Sequence, residues 1–217
     1  MINKIKPIFV LLLILLLCSC NNTNKNNYKN NINNVVEIYA HDDENESFGT
    51  GFFIDKNIIV TNCHIIAEKE GDNLTILNPS IRFFDEEQYT EVEIIDYNLE
   101  KDFAKLLYNG NHKHSYYKED IIPEVEDKCF VIGNFNNYGL SYKEGYVSLK
   151  SVKLNYNGII QSYIQVSISI GQGDSGAPVI SKDGKLIGMI TFRTKNQGSN
   201  YVEQGFAYAI FASEFLK

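Results

Sequence analysis

Short runs of apolar residues, separated by polar turn residues, make up most of the chain after residue 34. The runs are rich in β-branched and aromatic residues and end at Gly, Asn or Asp, a pattern typical of β-strands. Two sets of strands are predicted, the first at 35–40, 48–54, 58–62, 74–77, 81–84, 89–97 and 103–108, and the second at 128–132, 145–150, 159–170, 177–181, 186–192 and 205–210. A polar segment at 109–120 separates the sets, and a short helix is expected at 211–217. The pattern therefore predicts an all-β domain of two packed barrels, at about 35–110 and 120–210.

The first 20 residues follow a different pattern. Lys4 and Lys6 precede ten consecutive apolar residues at 8–17. A short basic segment before an apolar run of this length is typical of a secretory signal peptide, whereas a membrane-spanning helix needs about 20 residues. We therefore expect residues 1–19 to be a signal peptide and the rest of the chain to be exported.

Cys20 is the predicted lipid-attachment site. The sequence Leu17-Cys18-Ser19-Cys20 resembles the cleavage site of bacterial lipoproteins, in which a small residue directly precedes the lipidated cysteine. Cys18 fits less well because Leu17 would then occupy the small-residue position; the alternative to lipidation is a free or disulfide-bonded Cys20 behind an ordinary signal peptide. Nine of the next fourteen residues are asparagine, so 20–34 is predicted to be a solvated tether. The expected location is a bacterial membrane, with the domain facing outside the cytoplasm.

Composition and charge exclude several classes of function. The chain is 44% apolar and 12% aromatic, enough for a packed core, and its net charge is −7 without a basic cluster. Nucleic acid is therefore not an expected partner. The acidic loop 41–47 lacks the alternating spacing and the turn glycine of a calcium loop. His112 and His114 have no third ligand nearby, so no metal site and no cofactor are predicted.

A serine between glycines is the candidate nucleophile, in the segment Gly171-Gln172-Gly173-Asp174-Ser175-Gly176-Ala177-Pro178. Glycines let the backbone turn sharply, so the hydroxyl of Ser175 can lie next to free backbone N–H groups. Acyl-transfer chemistry needs this combination of a nucleophile and donors for a developing oxyanion. A tight turn joining two strands is the alternative interpretation, since Gly, Asp and Ser are ordinary turn residues.

A serine nucleophile needs a base, and the base needs a group that orients it. Of the four histidines, only His64 lies at the end of an apolar hairpin, where a rigid scaffold can aim it. Asp102 is the candidate orienting carboxylate because it directly precedes an apolar pair at the start of a strand. Asp96, in a neighbouring strand, is the competing candidate. Cys63 is disfavoured as a nucleophile because it adjoins the base, and neighbouring strand residues point to opposite faces.

The order His64, Asp102, Ser175 resembles that of chymotrypsin-like serine proteases. The surrounding segments resemble the trypsin-like peptidases of bacteria, closest to the HtrA/Deg protease domain. The similar segments, spread over residues 35–210, are Gly49-Thr50-Gly51-Phe52-Phe53-Ile54, Ile59-Val60-Thr61-Asn62-Cys63-His64-Ile65-Ile66, the stretch 96–106, Val131-Ile132-Gly133-Asn134-Phe135, Gly145-Tyr146-Val147-Ser148, Gly173-Asp174-Ser175-Gly176-Ala177-Pro178, Leu186-Ile187-Gly188-Met189-Ile190 and Gly205-Phe206-Ala207-Tyr208-Ala209-Ile210. In the stretch 96–106, the resemblance favours Asp102 over Asp96.

The resemblance implies a chymotrypsin-type fold of two six-stranded antiparallel β-barrels. It also implies a membrane-anchored serine endopeptidase that acts on protein or peptide substrates through an acyl-enzyme, without a cofactor. His64, Asp102 and Ser175 would form the catalytic triad, and the backbone N–H groups of Gly173 and Ser175 would bind the oxyanion. The alternative is a catalytically silent lipoprotein with a protease fold that acts as a binding or adhesion module.

The resemblance also locates the primary specificity pocket. Its lining would include Ser169, Ile170, Thr191, Phe192 and Arg193. An uncharged Ser169 at the base disfavours a preference for Lys or Arg, and Ile170 and Phe192 favour a small or apolar residue. Arg193 leaves an acidic preference open, and a solvated arginine at a strand end is its alternative interpretation.

Several positions depart from the HtrA/Deg pattern. Asp174 stands where HtrA proteins usually have asparagine; digestive proteases have aspartate there, and a newly cut N-terminus pairs with it. Because a lipidated tether is expected to precede the domain, another partner is expected to hold Asp174. Only seven residues follow Ile210, so no PDZ domain is expected. Cys63 and Cys129 fall in different halves of the fold, so no disulfide bond is predicted between them.

Overall fold

The computed structural model describes residues 27–71, 73–156, 158–192 and 205–216. In the first half these residues form the strands β1 (Val35–His41), β2 (Glu46–Phe53), β3 (Ile58–Thr61), β4 (Ala67–Glu70), β5 (Asn73–Ile76), β6 (Asn78–Arg82), β7 (Thr90–Glu91), β8 (Glu93–Asn98) and β9 (Phe103–Leu107). Seven of these strands form one antiparallel sheet in the order β7-β6-β1-β2-β3-β9-β8, and β4 pairs with β5. A single residue, Val92, separates β7 from β8, and yet these strands lie at opposite ends of the order. The sheet must therefore curl until its two edges approach each other, which makes this half a barrel.

The second half is a closed barrel of six antiparallel strands. They are β10 (Lys128–Gly133), β11 (Ser141–Tyr156), β12 (Ile159–Val166), β13 (Pro178–Ser181), β14 (Leu186–Phe192) and β15 (Ala207–Phe211). Their order around the barrel is β10-β11-β12-β15-β14-β13. The predicted all-β, two-barrel architecture is thereby confirmed.

Two short α-helices, α1 (Asn27–Asn31) and α2 (Cys63–Ile66), and 3₁₀ turns at Ile32–Asn34, Phe135–Asn137 and Ala212–Glu214 complete the described part of the chain. The single strand predicted at 89–97 is divided at Val92 into β7 and β8, while the strand predicted at 74–77 lies outside the sheet as β5. The first sheet therefore has seven strands, where the resemblance implied a barrel of six. The helix predicted at 211–217 is one 3₁₀ turn.

Alternation along the strands distributes apolar side chains between the barrels and the interface that joins them. Consecutive residues of a strand point to opposite faces. Phe53 and Ile59 therefore enter the core of the first barrel, while their neighbours Phe52 and Val60 enter a second core between the barrels. This inter-barrel core also contains Met189 from the second half. The shared core fixes the two halves to each other, so that side chains from both can form one site.

Residues 27–34, which were expected to belong to the tether, fold against the domain. Ile32 is 4% exposed and packs in the inter-barrel core. The side-chain carbonyl of Asn34 accepts hydrogen bonds from the backbone N–H and the hydroxyl of Ser115, at 2.9 and 2.7 Å. Asparagine content alone favours a solvated tether, but Ile32, the partly buried Tyr28 and the buried amides of Asn31 and Asn34 dock this segment. The folded domain therefore begins upstream of Val35.

The predicted signal peptide at 1–19 and the predicted lipid-attachment residue Cys20 lie outside the described residues. Arg193 lies outside them as well. Among the residues that the structure describes, no helix is long and apolar enough to cross a membrane.

Candidate active site

Antiparallel pairing of β3 with β9 brings two of the candidate residues together. Thr61 in β3 pairs with Ala104 in β9. His64 follows the end of β3, in the first turn of α2, and Asp102 precedes the start of β9, so both lie at the same end of the strand pair. The competing candidate Asp96 lies in β8, where its side chain is 56% exposed and pairs with a lysine. The register of β3 and β9 therefore selects Asp102 as the carboxylate that His64 meets.

The imidazole of His64 contacts both carboxylate oxygens of Asp102. Nδ1 lies 2.8 Å from Oδ2 and 3.0 Å from Oδ1, and the backbone N–H of His64 donates to Oδ1 at 3.0 Å. A carboxylate at Nδ1 selects the tautomer that carries its hydrogen there, which leaves Nε2 available as a base. The side chain of Asp102 is 9% exposed and that of His64 is 38% exposed. Water is therefore largely excluded from the Asp102 carboxylate, whereas the His64 imidazole is accessible from solvent.

The pKa of His64 is raised above its ordinary value. Burial lowers the pKa of the imidazole, but the charge of Asp102 and the hydrogen bond at Nδ1 together outweigh burial. The arrangement therefore stabilises the protonated imidazole, which is the form that a general base reaches when it takes a proton from a hydroxyl.

Two buried polar residues hold Asp102 in place. The Thr191 hydroxyl donates to Asp102 Oδ2, and the side-chain amide of Asn62 donates to the Thr191 hydroxyl and to the backbone carbonyl of Asp102, at 2.9 Å each. Asn62 is fully buried and Thr191 is 2% exposed. Asp102 has a φ of +54°, a left-handed conformation that residues other than glycine seldom adopt. The hydrogen bond from Asn62 therefore stabilises an uncommon backbone conformation at the residue that contacts His64.

Asn62 is not among the sequence-predicted site residues, and Thr191 is predicted only for the specificity pocket. The available signal was a polar residue at the end of an apolar strand, because a buried amide needs hydrogen-bond partners. The partners of Asn62 are 40 and 129 positions away along the chain. The sequence pattern therefore indicates that Asn62 is a buried polar residue, but it does not indicate which residues Asn62 contacts.

Ser175 contacts the other side of Thr191. Its hydroxyl donates to the backbone carbonyl of Thr191 at 3.3 Å, while the Thr191 hydroxyl bonds to Asp102. Thr191 therefore links the serine to the histidine–aspartate pair. The structure brings His64 and Asp102 into direct contact, and in this conformation the Ser175 hydroxyl bonds to Thr191.

Two backbone N–H groups of the loop around Ser175 have no acceptor among the residues that the structure describes. In the described ranges, the N–H groups of Gly173 and Ser175 make no hydrogen bond, whereas those of Asp174, Gly176 and Ala177 each donate to a backbone carbonyl. Buried backbone donors without a partner are rare in folded proteins, and Gly173 is buried. One donor two residues before a candidate nucleophile and a second on the backbone of that residue are what an oxyanion hole requires.

The segment 134–137 orients the N–H of Gly173. The backbone N–H of Asn136 donates to the carbonyl of Gln172 at 2.7 Å. Because the carbonyl and the N–H of one planar trans peptide point in opposite directions, the N–H of Gly173 points away from this segment. The carbonyl of Gly173 accepts a hydrogen bond from the Thr50 hydroxyl at 2.7 Å, which fixes the next peptide as well.

Two glycines of this loop have no room for a side chain. Gly173 has a φ of +87°, and a Cβ there would lie 2.1 Å from the carbonyl oxygen of Asn134. Gly176 has a φ of +84°, and a Cβ there would lie 1.9 Å from the carbonyl oxygen of Thr50. Both separations are far shorter than a non-bonded contact, so the loop packs this closely only with glycine at both positions.

Asp174 is fully buried beneath the loop, and Lys143 is its counter-ion. The Lys143 ammonium group pairs with Oδ1, and the backbone N–H of Gly171 donates to Oδ2 at 2.8 Å. Lys143, which lies in β11 of the same barrel, is therefore the partner that holds Asp174. A newly cut N-terminus is not needed for this contact.

The residues predicted to line the specificity pocket differ in accessibility. Ser169 is exposed, whereas Ile170 is 6% exposed and belongs to the core of the second barrel. Thr191 is buried beside Asp102. The half-buried Phe192 stacks on Tyr208 with ring centroids 5.3 Å apart. A ligand can therefore reach Ser169 directly, while Ile170 and Phe192 are engaged mainly in packing.

Cys63 and Cys129 are both free and buried. Burial, together with the charge of a nearby aspartate, raises the pKa of each thiol to about 12. The thiolate is the nucleophilic form of cysteine, and a thiol with this pKa is not ionised near neutral pH. Neither cysteine therefore has the chemistry of a nucleophile.

His112 and His114 pack on the first barrel. The ring of His112 stacks on Phe83 and its Nε2 lies 3.0 Å from a carboxylate oxygen of Asp85, while His114 stacks on Phe53. Over the described residues, no three His, Cys, Asp or Glu side chains are grouped closely enough to hold a metal ion.

Residues 49–189 match the family model described as a trypsin-like peptidase domain. Over 170 residues the chain is 29% identical to a probable periplasmic serine endoprotease, DegP-like, of Bartonella henselae, and over 187 residues it is 24% identical to the serine endoprotease DegS of Escherichia coli. These alignments cover 77% and 83% of this chain but 31% and 47% of the two relatives. The chain therefore spans less than half the length of these relatives.

Solved structures share the fold. The crystal structure of the Rv3671c protease from M. tuberculosis, active form, has a TM-score of 0.75 at 17% identity, and the match covers 88% of this chain and 82% of that chain. The HtrA-type protease AlgW, solved with a tripeptide, has a TM-score of 0.71 at 21% identity, with 87% of this chain and 60% of that chain covered. The likeness establishes the two-barrel, chymotrypsin-like fold.

Proposed function

Because the chain belongs to the family of trypsin-like peptidase domains, we propose that it is a serine endopeptidase that uses His64, Asp102 and Ser175 as its catalytic residues. The observation that carries the proposal is the pair of N–H groups, at Gly173 and Ser175, that lack an acceptor in the described part of the chain. A turn that only joined two strands would have no need of two unpaired donors beside a serine. Acyl transfer needs both of them.

In the proposed reaction, the Ser175 hydroxyl turns from the Thr191 carbonyl toward Nε2 of His64 and attacks the carbonyl carbon of the scissile peptide bond. Its proton passes to Nε2, and Asp102 stabilises the resulting imidazolium. The N–H groups of Gly173 and Ser175 bind the negative charge that develops on the substrate oxygen. His64 then gives its proton to the leaving amine, which leaves an acyl-enzyme. Water, deprotonated by His64, hydrolyses the acyl-enzyme and restores the serine.

We propose that the substrates are proteins or peptides with a small or apolar residue before the cleaved bond. Ser169, the expected base of the pocket, is exposed and uncharged, so it offers no counter-charge to lysine or arginine. An acidic residue at this position is the alternative, which Arg193 would favour. Preferential cleavage after lysine or arginine in a peptide library would contradict both versions.

We further propose that the protein is exported and attached to a bacterial membrane through a lipid on Cys20. The basic and apolar segments before Cys20 support this proposal, and the DegP-like relative is described as periplasmic. A lipid-modified cysteine that carries more than one acyl chain would give the stable anchoring that a single chain does not.

A fluorophosphonate probe tests the proposed activity, because it reacts covalently with an activated serine. Labelling of the full-length wild type is expected, and Ser175→Ala is expected to abolish it. Ser162→Ala, in β12 and away from the loop, is the matched control and is expected to be labelled like the wild type. A folded wild type that is not labelled would favour the alternative of a protease-fold binding or adhesion module.

A further inference from the structure

Asp174 has no solvent exposure, although it directly precedes the candidate nucleophile. Removing a carboxylate from water is strongly unfavourable unless a counter-charge and hydrogen bonds compensate for the lost hydration. Both are present: Oδ1 pairs with the ammonium group of Lys143, and Oδ2 accepts the backbone N–H of Gly171 at 2.8 Å. Lys143 therefore supplies the counter-charge for this buried carboxylate.

The surroundings of the ion pair are shaped to hold it. Gly133 in β10 makes room for the carboxylate, since a Cβ there would lie 2.5 Å from Asp174 Oδ1. The ammonium group of Lys143 lies 4.8 Å from the centroid of the Phe135 ring, within the range of a cation–π contact. The side chain of Lys143 is 17% exposed. Lys143 is therefore a built-in part of the second barrel, unlike an ordinary surface lysine.

Asp174 is the charged group that faces Lys143. The neighbours of Lys143 in β11, Tyr142 and Glu144, point to the opposite face of the strand, where Glu144 pairs with Lys128 at 2.8 Å. In the part of the chain that the structure describes, Asp174 is the carboxylate whose charge acts on Lys143.

Asp174 also shapes the turn that carries the oxyanion donors. Its backbone N–H donates to the carbonyl of Gly171 at 3.2 Å, and its side chain accepts the N–H of the same residue. The turn 171–174 is therefore closed twice by Asp174. Gly173 lies inside this turn, so a displacement of Asp174 would displace the Gly173 peptide and its N–H group.

We infer that Lys143 is a positioning residue for the proposed activity, because its ammonium group holds Asp174 where the N–H of Gly173 points into the oxyanion site. This inference rests on the proposed function. The ion pair between Lys143 and Asp174 would preform the oxyanion site within the second barrel. No cleavage that creates a new N-terminus would then be needed.

The ion pair introduces a dependence on alkaline pH. Burial lowers the pKa of Lys143 below its ordinary value, and the hydrogen bond and charge of Asp174 oppose this in part. Lys143 holds Asp174 only while it is protonated. Activity is therefore expected to fall as the pH rises through the pKa of Lys143, separately from the loss at low pH that protonation of His64 causes.

The test measures the rate of fluorophosphonate labelling of the full-length chain between about pH 6 and pH 11, a range that brackets the ordinary pKa values of histidine and lysine. Lys143→Met is expected to lower the rate by about 10²–10³-fold, the scale of losing one oxyanion donor. In Lys143→Met/Asp174→Asn no buried charge is left unpaired, so this double variant is expected to recover at least about tenfold of that loss. Lys143→Arg is expected to move the alkaline limb to higher pH, because arginine stays protonated throughout.

Lys150→Met is the matched control, since Lys150 lies in the same strand and pairs with Glu124 at an exposed position. Its labelling rate and alkaline limb are expected to match the wild type. A purely structural role of Lys143 would change the melting temperature without moving the alkaline limb. The inference is overturned if Lys143→Met is labelled like the wild type, or if the limb stays in place in both Lys143→Arg and the double variant.

If Lys143→Met does not fold, the position of the alkaline limb of the labelling rate in Lys143→Arg and in the double variant decides whether Lys143 is a positioning residue. A folded wild type without any labelling at Ser175 would refute the proposed function and this inference with it. Labelling of the wild type with unchanged variants would refute this inference alone.

Discussion

Asp102 acts on His64 through its charge and through the hydrogen bond at Nδ1. Both contributions raise the pKa of the imidazole and exceed the opposing effect of burial. A base with a raised pKa is lost to protonation earlier as a solution is acidified. The wild-type labelling rate is therefore expected to fall, on the acid side, through a pH above about 6.5, the ordinary pKa of histidine.

Replacing the carboxylate by an amide, in Asp102→Asn, should separate these contributions from burial. Burial remains while the charge is lost, so the acid limb is expected to move to lower pH. The plateau rate is expected to fall about 10⁴-fold, because an amide no longer keeps the proton on Nδ1. The pH dependence of fluorophosphonate labelling measures both changes. The control is Asp96→Asn at an exposed position, and an equal loss in this variant would assign the orienting role to Asp96.

Among single residues, the sequence predicted those that stand in recognisable local patterns. His64 ends an apolar hairpin, Ser175 stands between glycines, and Asp102 opens a strand, so each is visible without its partners. Asn62 and Lys143 are not, because each gains its role from a contact with a residue that is distant in the chain. In the sequence they cannot be distinguished from ordinary polar residues. Only the register of the strands shows that their side chains lie in the interior.

Among the structural elements, the loop 171–177 that carries Ser175 depends on close contact with the segment 134–137. Gly173→Ala would place a Cβ 2.1 Å from the Asn134 carbonyl oxygen, so the peptide that carries the Gly173 N–H must shift. The labelling rate is expected to fall about 10²–10³-fold, the scale of losing one oxyanion donor. The rate and the melting temperature of the variant measure the two effects separately.

Gly184→Ala is the matched control, because Gly184 has a φ of +80° but nothing lies within 4 Å of a Cβ built there. It shares the left-handed strain, which costs about 1–2 kcal/mol of stability, without the clash. Its labelling rate is expected to stay at the wild-type level. Equal losses of activity in the two variants would identify backbone strain, instead of contact with segment 134–137, as the cause.

The strands were predictable where apolar residues recur between turn residues, and less so at the edges of the first sheet. The strand expected at 89–97 is mostly polar, and both of its parts are largely exposed. Its division at Val92 follows from the curling of the sheet, because β7 pairs with β6 and β8 pairs with β9. No local pattern carries that information.

On the scale of the whole molecule, the two barrels share one core, and the candidate site depends on it. Asn62 from the first half bonds to Thr191 from the second, and Thr50 from the first half bonds to Gly173 in the second. The sequence predicted the two halves but not the docking of residues 27–34, because Ile32 and the asparagine amides beside it gain their contacts only from residues that are distant in the chain.

The proposed anchor is also a property of the whole chain. Fatty-acid labelling of the full-length protein is expected in a bacterial host, and Cys20→Ala is expected to abolish it and release the domain from the membrane fraction. Cys18→Ala preserves the predicted attachment site and is expected to be labelled normally. Labelling that survives in Cys20→Ala but not in Cys18→Ala would move the anchor to Cys18.

The docked segment 27–34 limits how far the domain can travel from that anchor. A chain extends by at most about 3.6 Å per residue. From a lipid on Cys20, the chain could therefore reach at most about 25 Å to Asn27. If the chain were free as far as Val35, it could reach roughly 50 Å. The tether would then limit how far the candidate site can move from the bilayer. Under the proposed function and anchor, a substrate close to the bilayer, such as the membrane-proximal stretch of another surface protein, would lie within reach of Ser175, whereas a substrate further away would not.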